Sequence, residues 1–210
     1  MSPKPPSSSS PLPPEAEPGP SSTLDRDSAP SSPGSPAAGW RANLRVLAIA
    51  LVIALVVRVL IAEPRYIPSN SMDPTLQIGD RLLVDKLSYR WQPPHRGDIV
   101  VFKPPAQLVG LGYNGGQAFI KRIVGEPGDT LEVVDGQVRL NGQILAESYI
   151  LAPPQYHLGP VTVPPGHLFV LGDNRNDSND SHVWGPLPQA NLIGRARFRF
   201  WPLDRFGQVG

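Results

Sequence analysis

The sequence predicts a mostly β domain, built as a partly open barrel or a sandwich, that follows one N-terminal transmembrane helix and a disordered tail. Three observations support this fold class: short strand-like runs between Gly/Pro turns from residue 66 onward, one long apolar run before them, and a Pro/Ser-rich start. A chain of 210 residues has room for one ordinary domain with such appendages.

Residues 1–39 hold eleven of the 27 prolines, eleven serines and almost no branched aliphatic side chains. Such a segment cannot bury enough apolar area to offset the entropy lost on ordering, so we predict a disordered cytoplasmic tail. A transit peptide is the alternative, but its usual lack of acidic residues is not met here.

The overall composition excludes some classes of partner and site. The formal net charge of +1 provides no general attraction for nucleic acid, so we predict no nucleic-acid partner. The absence of cysteine excludes disulfides and thiolate metal sites, and it leaves the redox compartment open. We expect neither a metal ion nor a cofactor.

Residues 46–62 comprise twelve Val, Leu or Ile, four Ala and Arg58. Seventeen residues is the short end of a membrane-spanning helix. At about −0.4 kcal/mol each, the branched aliphatics contribute roughly −5 kcal/mol against about +3 for one arginine, so insertion is favoured. We therefore predict a transmembrane helix with flanks over residues 40–63.

Charges beside this run predict its orientation. Arg41 and Arg45 precede it, whereas Glu63 and Arg65 follow it and cancel. The N-terminus is predicted to be cytoplasmic, and the β domain, residues 64–210, to lie on the trans side of the membrane.

Strand-like runs separated by turn residues define the β domain. They are 81–85, 98–103, 118–124, 130–134, 137–140, 161–163, 167–171 and 195–200. Asp135-Gly136, between two of these runs, is a strong hairpin signal.

Two features of this domain have two interpretations each. Arg195, Arg197 and Arg199 alternate with apolar residues, which predicts a basic strand face either in solvent or against anionic lipid headgroups. Trp91 and Trp201 belong either to the bilayer interface or to the core.

Ser71 lies between two prolines, which suggests a role beyond a turn. Pro68 and Pro74 each fix one backbone dihedral and disfavour helix before them, so the serine should be held in a stiff loop. Met72 adds adaptable apolar surface beside it. The alternative is that Ser69 and Ser71 only bond their own turn backbone.

Lys121 and Arg122 are adjacent cations in a predicted strand. Since alternate residues share a face, Lys121 lies with Phe119 and Ile123, and one of the two cations must point toward apolar neighbours. A buried lysine loses its charge more easily and becomes an amine that can accept a serine proton. The alternative is a lysine that extends to solvent from a strand edge.

A polar loop follows the last but one strand, at residues 172–186. Its small polar side chains could bond their own backbone or orient a catalytic base. His182, with Asp177 or Asp180, could also activate the serine in a conventional triad. Residue types alone do not decide between the lysine and the histidine.

In four stretches the chain resembles type I signal peptidases, the bacterial leader peptidases. These stretches are residues 67–76, 79–86, 96–102 with 121–129, and 172–181. Their order and spacing agree from residue 63 to about residue 202. The resemblance implies a membrane-bound serine endopeptidase that removes signal peptides from exported pre-proteins after Ala-x-Ala-like sites. Its implied partners are signal peptides, the lipid bilayer and a nearby protein translocase.

The resemblance also implies roles for individual residues. Ser71 is then the nucleophile, Lys121 the general base, and Ser178 the residue that orients the lysine amine. The Ser69 hydroxyl and the Ser71 backbone N–H would bind the oxyanion.

Substrate contact and support of the site are expected from further residues. Ile67 and Ile120 match residues that line shallow apolar pockets, and Met72 is expected to contact substrate beside them. Four polar residues are expected to support the site structurally: Asp173, Arg175, Asp180 and His182.

Two departures from the family pattern carry information. Many members have arginine where this chain has His182, so its pair with Asp180 should be weaker and pH-dependent. Arg65-Tyr66 replaces an aromatic or apolar residue next to the pocket. Both features, with residues 183–188, resemble the photosynthetic subgroup that includes thylakoid processing peptidases, which adds the thylakoid lumen to the periplasm as a possible trans side.

Two rival functions remain at this point. A self-cleaving repressor resembles the same dyad on a β fold, but it would need a helix-turn-helix where this chain has its apolar run. A non-catalytic anchored β module that binds exported chains is the other.

Overall fold

The computed structural model describes residues 36–209. Most of the predicted tail, residues 1–35, lies outside the described residues, and helix α1 already begins at residue 36. Helix α1 spans Pro36–Val56, and a π-helical segment, Val57–Ile61, follows it. Proline suits the first helical position because its missing N–H would have no partner there.

The transmembrane helix predicted at residues 46–62 is not confirmed. Within residues 36–209, no helix is both long enough and apolar enough to cross a membrane. The helical backbone ends at Ile61, and Ala62 already belongs to a β-strand.

The remaining described chain is mostly β. Its strands are β1 (Ala62–Tyr66), β2 (Arg81–Asp85), β3 (Ile99–Phe102), β4 (Phe119–Gly125), β5 (Thr130–Val134), β6 (Gln137–Leu140), β7 (Gln143–Ile144), β8 (Leu158–Thr162), β9 (His167–Leu171), β10 (Leu187–Pro188), β11 (Leu192–Trp201) and β12 (Gly207–Gln208). Two short helices, α2 (Ala106–Gly110) and α3 (Ser181–Trp184), lie between strands. Single 3₁₀ turns occur at Ser88–Arg90, Gln189–Asn191 and Leu203–Arg205.

Each of the eight predicted strands is present, although several bounds differ by a few residues. The sequence does not predict β1, β7, β10 or β12. Three of these are two residues long, and β1 contains Pro64 between two charged residues. Proline is tolerated in β1 because this strand lies at the edge of its sheet.

The strands form two antiparallel sheets. The larger is an open half-barrel with the order β1-β2-β11-β3-β4-β9-β10, in which β12 also pairs with β11. The smaller has the order β7-β6-β5-β8. The predicted hairpin joins β5 to β6: Asp135 and Gly136 have φ of 53° and 73°, as a two-residue type I′ turn requires.

Buried apolar side chains form three clusters that determine which parts of the fold touch. One lies against β3, β4 and β9 and includes Phe102, Ile123 and Trp184. A second joins the small sheet to the large one through residues such as Leu131 and Phe169. The third packs the loop between β1 and β2 onto the large sheet, and its members are Ile67, Met72, Leu76, Leu82, Ile99, Ala196 and Val209.

Each arginine of β11 pairs with an aspartate: Arg195–Asp98 at 2.9 Å, Arg197–Asp85 at 3.5 Å and Arg199–Asp80 at 3.3 Å. Arg197 remains exposed, and both interpretations of this strand stay predictions. These partners are about a hundred residues away in sequence, so the alternation alone does not reveal them. Trp91 and Trp201 are 75% and 48% exposed, so neither is a core residue.

Candidate active site

Ser71 lies in the loop between β1 and β2, and apolar side chains of this loop pack onto the large sheet. Met72, the next residue, is completely buried in the third cluster. Two backbone hydrogen bonds join the beginning of the loop to its end. The Ile67 N–H donates to the Asp80 carbonyl at 2.9 Å, and the Ile67 carbonyl accepts from the Gly79 N–H at 3.0 Å. These bonds close the base of the loop, and its stiffness between Pro68 and Pro74 stays a prediction.

The loop after β9 holds the serine from the other side. The Asn174 N–H donates to the Ser71 carbonyl at 3.1 Å. A methyl group at Gly172 would overlap the Ser71 carbonyl oxygen and the Ser178 side chain. A glycine is therefore needed for these two loops to approach this closely.

Lys121 on β4 reaches the serine. Its Nζ lies 2.8 Å from the Ser71 Oγ and donates to the Ile120 carbonyl at 2.9 Å. The lysine is 4% exposed and Ser71 is 8% exposed, so the contact is screened from water. Of the two bases that the sequence offers, Lys121 is the one within hydrogen-bond distance of Ser71.

The surroundings of Lys121 make its amine easier to deprotonate. Burial lowers the pKa of Lys121 to about 8, while the carboxylates of Asp180 and Asp173 act in the opposite direction. At pH 7 about a tenth of the amine is then neutral, compared with well under a thousandth for an exposed lysine. A neutral amine has a lone pair that can accept the serine proton.

Arg122, the neighbour of Lys121, is buried as well, at 5% exposure. Both adjacent cations are therefore buried, whereas strand alternation alone accounts for the burial of one of them. The Arg122 guanidinium donates to both carboxylate oxygens of Asp173, at 2.8 and 2.7 Å, and lies 4.1 Å from the ring centroid of Tyr149. Burial is tolerated because this cation has a complete set of partners.

A second buried pair links the small sheet to the loop after β9. Arg175 donates to both Glu147 oxygens at 2.6 Å, and its Nε donates to the Gly172 carbonyl at 3.0 Å. The Tyr149 hydroxyl also donates to Glu147, at 2.7 Å. Arg175 thus contacts the loop that holds Ser71, and its supporting role stays a prediction. Sequence reasoning misses Glu147 and Tyr149, which stand in an ordinary loop with no motif around them.

His182 pairs with Asp180 and does not touch Ser71. Its Nδ1 lies 2.7 Å from Asp180 Oδ1, and its ring stacks on Tyr156 with centroids 4.0 Å apart. The other oxygen of Asp180 accepts the Gly172 N–H at 2.8 Å. This geometry supports a structural role for the pair and gives no support to the triad alternative.

Two serines flank the reactive pair. The Ser69 Oγ is 3.4 Å from the Ser71 Oγ and faces solvent. The Ser178 Oγ is buried and has no hydrogen-bond partner among the described residues, so the expected bond to the lysine amine is not formed. Ser178 nevertheless lies directly beside Gly172 in the loop that contacts Ser71.

The three residues expected to contact substrate differ in exposure. Ile120 is half-buried and presents surface beside Lys121. Ile67 is 2% exposed and Met72 has no exposed surface. Met72 is therefore a core residue that supports the serine loop, which corrects its expected role as a substrate contact.

Together these groups suit acyl transfer. A serine hydroxyl touches an amine of lowered pKa, and in the described part of the chain the Ser71 N–H donates to no other group, so it is available to a developing oxyanion. Within residues 36–209, no group of three or more His, Asp or Glu side chains is arranged to hold a metal ion.

The chain is similar to a known protein family and to individual relatives within it. The family model described as signal peptidase, peptidase S26, matches residues 40–201. A probable signal peptidase I-1 from Synechocystis sp. is 60% identical over 168 residues, which cover 80% of this chain and 86% of the relative. A signal peptidase I from Leptolyngbya laminosa is 51% identical, with 80% and 83% covered.

A plant protein and a solved structure are also similar to this chain. A probable chloroplast thylakoidal processing peptidase 2 from Arabidopsis thaliana is 49% identical over 160 residues, 76% of this chain and 44% of that protein. The crystal structure of a signal peptidase I from Enterococcus faecalis V583 has 33% identity and a TM-score of 0.42, with 50% of this chain and 97% of that chain covered. The plant relative agrees with the photosynthetic subgroup that residues 182–188 resemble.

The Arg122–Asp173 pair predicts a large loss of stability when one partner is removed. Asp173→Asn should lower the free energy of unfolding by about 3–5 kcal/mol, because it leaves the Arg122 charge buried without its counter-ion. Urea unfolding measures this change. Glu132→Gln is the control, since its pair with Arg139 is partly exposed and 3.9 Å long and should contribute less than about 1 kcal/mol. Equal losses in the two variants would contradict this account.

Proposed function

The chain belongs to the signal peptidase family, peptidase S26, and on this premise we propose that Ser71 and Lys121 are the dyad with which it cleaves signal peptides from pre-proteins. One observation carries the proposal: the 2.8 Å contact between Ser71 Oγ and Lys121 Nζ in a site shielded from water. Membership of the family supports the peptidase activity, and the contact between the two side chains supports their assignment as the catalytic residues.

The first step is attack by the serine. When Lys121 is neutral, the Ser71 hydroxyl donates to the Nζ lone pair, and the amine takes the proton as Oγ bonds to the scissile carbonyl carbon. The Ile120 carbonyl, which accepts from Nζ at 2.9 Å, fixes the direction of the lone pair. The base is therefore oriented before substrate arrives.

The negative charge of the tetrahedral intermediate needs donors in place. The Ser71 N–H and the Ser69 hydroxyl are proposed to supply them, since both lie beside the nucleophilic oxygen and neither is committed elsewhere except for the 3.4 Å contact of Ser69 with Ser71. Lys121 then gives its proton to the leaving amine, and the new N-terminus departs. Ser71 holds the signal peptide as an ester.

The same base completes the cycle. Neutral Lys121 takes a proton from water, the water oxygen attacks the ester carbon, and the proton returns to the Ser71 oxygen as the ester bond breaks. Ser178 is proposed to orient the amine after a small rotation of its side chain, because its hydroxyl is buried beside Gly172 without a partner.

Cleavage after Ala-x-Ala-like sites is proposed on the shape of the surroundings. Ile120 presents half-buried apolar surface next to the lysine, and Ile67 lies beneath it in the same cluster. An apolar wall backed by close-packed core has room for small side chains only. Substrate residues facing it would then be alanine-like.

We further propose that helix α1 holds the enzyme in a membrane, with the β domain on the trans side near a translocase. Apolar side chains are exposed on every side of the helix, for example Val46 (67%), Leu47 (66%), Ile49 (60%) and Leu51 (60%). Exposed apolar surface of this extent is typical of contact with lipid.

Removing either member of the dyad should abolish cleavage of a pre-protein. Ser71→Ala should lower kcat/KM by at least about a thousandfold. Lys121→Met should do the same without lowering the free energy of unfolding at pH 7, because it removes a buried ionisable amine. Sequencing the new N-terminus identifies the cleavage. Matched controls are the exposed Ser148→Ala and Lys103→Met.

His182→Ala should lower kcat/KM by about tenfold or less, since His182 touches Asp180 and not Ser71. A loss at His182 as large as at Lys121 would restore the triad, and undiminished cleavage by Ser71→Ala would exclude the dyad.

The pH dependence should follow the lysine. The active form is the neutral amine, so kcat/KM should rise with pH through the pKa of about 8 and then level off. Between pH 9 and pH 6 we expect about a hundredfold fall. Asp180→Asn should move the midpoint to lower pH, because it removes a carboxylate that holds the pKa of Lys121 up. A midpoint that does not move, in a folded variant, would contradict this assignment.

Attachment to the membrane can be measured directly. The full chain should stay in the membrane fraction after carbonate extraction, and protease added from the trans side should digest the β domain. A Leu51→Lys, Leu55→Lys double variant should be released, since each charge adds about 3 kcal/mol to the cost of insertion. Release of the unsubstituted chain by carbonate would be evidence against the helix as the attachment.

A further inference from the structure

A cavity of about 410 Å³ lies beside the edge strand β1 and is lined by Pro64, Arg65, Tyr66, Arg81 and Phe200. Neither Ser71 nor Lys121 lines it, and the proposed proton transfers use none of its side chains. The cavity combines two guanidinium groups with a proline and two aromatic rings. It can therefore bind a ligand that has both an anionic group and an apolar part.

The two arginines of this cavity are not fully neutralised. Among the described residues, Arg81 has neither an ion pair nor a side-chain hydrogen bond, in contrast to the three arginines of β11. Arg65 pairs with Glu63 at 2.6 Å, but its buried Nε has no partner. Glu63 also lies 3.5 Å from the Lys86 amine. One carboxylate thus faces several cations, and the cavity retains positive charge.

The aromatic residues next to Arg81 are exposed. Arg81 is the cross-strand neighbour of Tyr66 on β1 and of Trp201 on β11. Tyr66 is 58% and Trp201 48% exposed. Tyrosine and tryptophan with one apolar and one polar end are typical of the level of lipid headgroups. A small inorganic anion would use the guanidinium groups but not these rings.

The cavity is also close to helix α1 along the chain. Arg65 follows Ile61, the last helical residue, by four positions in an extended strand, which is about 13 Å at 3.3 Å per residue. If the helix is held in a membrane, as proposed above, the cavity lies no farther than this from the end of the helix and is within reach of the membrane surface. The inference therefore rests on that part of the proposed function.

We propose that this cavity binds the headgroup of an anionic membrane lipid. The phosphate or sulfonate oxygens of the headgroup accept hydrogen bonds from Arg65 and Arg81, and the glycerol and upper acyl carbons pack on Tyr66 and Phe200. Such a contact is a second attachment to the membrane beside helix α1. It restricts the orientation of the β domain, and therefore the distance of Ser71 from the bilayer.

Lipid retention tests the proposal without any cleavage reaction. The full-length enzyme is reconstituted in phosphatidylcholine vesicles with 30% phosphatidylglycerol and extracted into a neutral detergent. The phosphatidylglycerol retained per enzyme is then counted by native mass spectrometry. We expect one molecule on the unsubstituted enzyme and about fivefold lower occupancy in Arg81→Gln. Arg65→Gln is a second variant in case the first does not fold.

Arg90→Gln is the control, because it removes the same charge from an exposed site outside the cavity. Equal retention by Arg81→Gln and Arg90→Gln would overturn the proposal, as would displacement of the lipid by millimolar inorganic phosphate, which would indicate a phosphate site. Retention is measured without substrate, so the two proposals are tested separately. An error in assigning the Ser71–Lys121 dyad would show only in the pre-protein cleavage assay, and an error in assigning the lipid site only in the retention measurement.

Discussion

The site depends on a buried amine that, among residues 36–209, has no carboxylate at ion-pair distance. Lys121 contacts the Ser71 hydroxyl and one backbone carbonyl, whereas the adjacent Arg122 has both oxygens of Asp173. The two residues are equally buried, so the difference between them lies in their partners and in their head groups, because an ammonium can lose its proton on burial and a guanidinium does not. A lysine with a carboxylate at the same distance would keep its proton and could not act as a base.

The rest of the site keeps this amine beside the serine. Three buried carboxylates hold four ion pairs in the elements that form the site, namely Asp173 with Arg122, Glu147 with Arg175, and Asp80 with Arg199 and Arg205. Buried ion pairs add little net stability compared with apolar packing, but each is expensive to break. Their effect here is geometric: they fix the serine loop and the loop after β9 on the large sheet.

Much of this could be predicted from local sequence. The loop around Ser71 is bounded by two prolines, the β5–β6 hairpin follows from Asp135-Gly136, and the burial of one of two adjacent cations follows from their apolar neighbours along β4. What could not be predicted depends on partners far apart in the chain. Glu147 lies 28 residues from Arg175, in a loop without a recognisable pattern.

The same limit applies to two further features. Met72 is next to the serine in sequence, but its side chain is buried in the core. The arginines of β11 alternate with apolar residues, but this pattern does not reveal the aspartates that pair with them, which come from β2, from the residue before β3 and from the serine loop. Alternation shows which residues share a face and does not show what lies opposite.

The position of Glu147 and Tyr149 has a consequence for anyone who wishes to shorten the enzyme. The small sheet looks dispensable, because it lies away from Ser71 and has its own turns. Yet the segment leaving it carries the carboxylate that neutralises Arg175 and the ring that covers Arg122. Excising residues 130–163 would leave the buried Arg175 without its carboxylate and would remove the ring beside Arg122, so a minimal peptidase must retain this appendage.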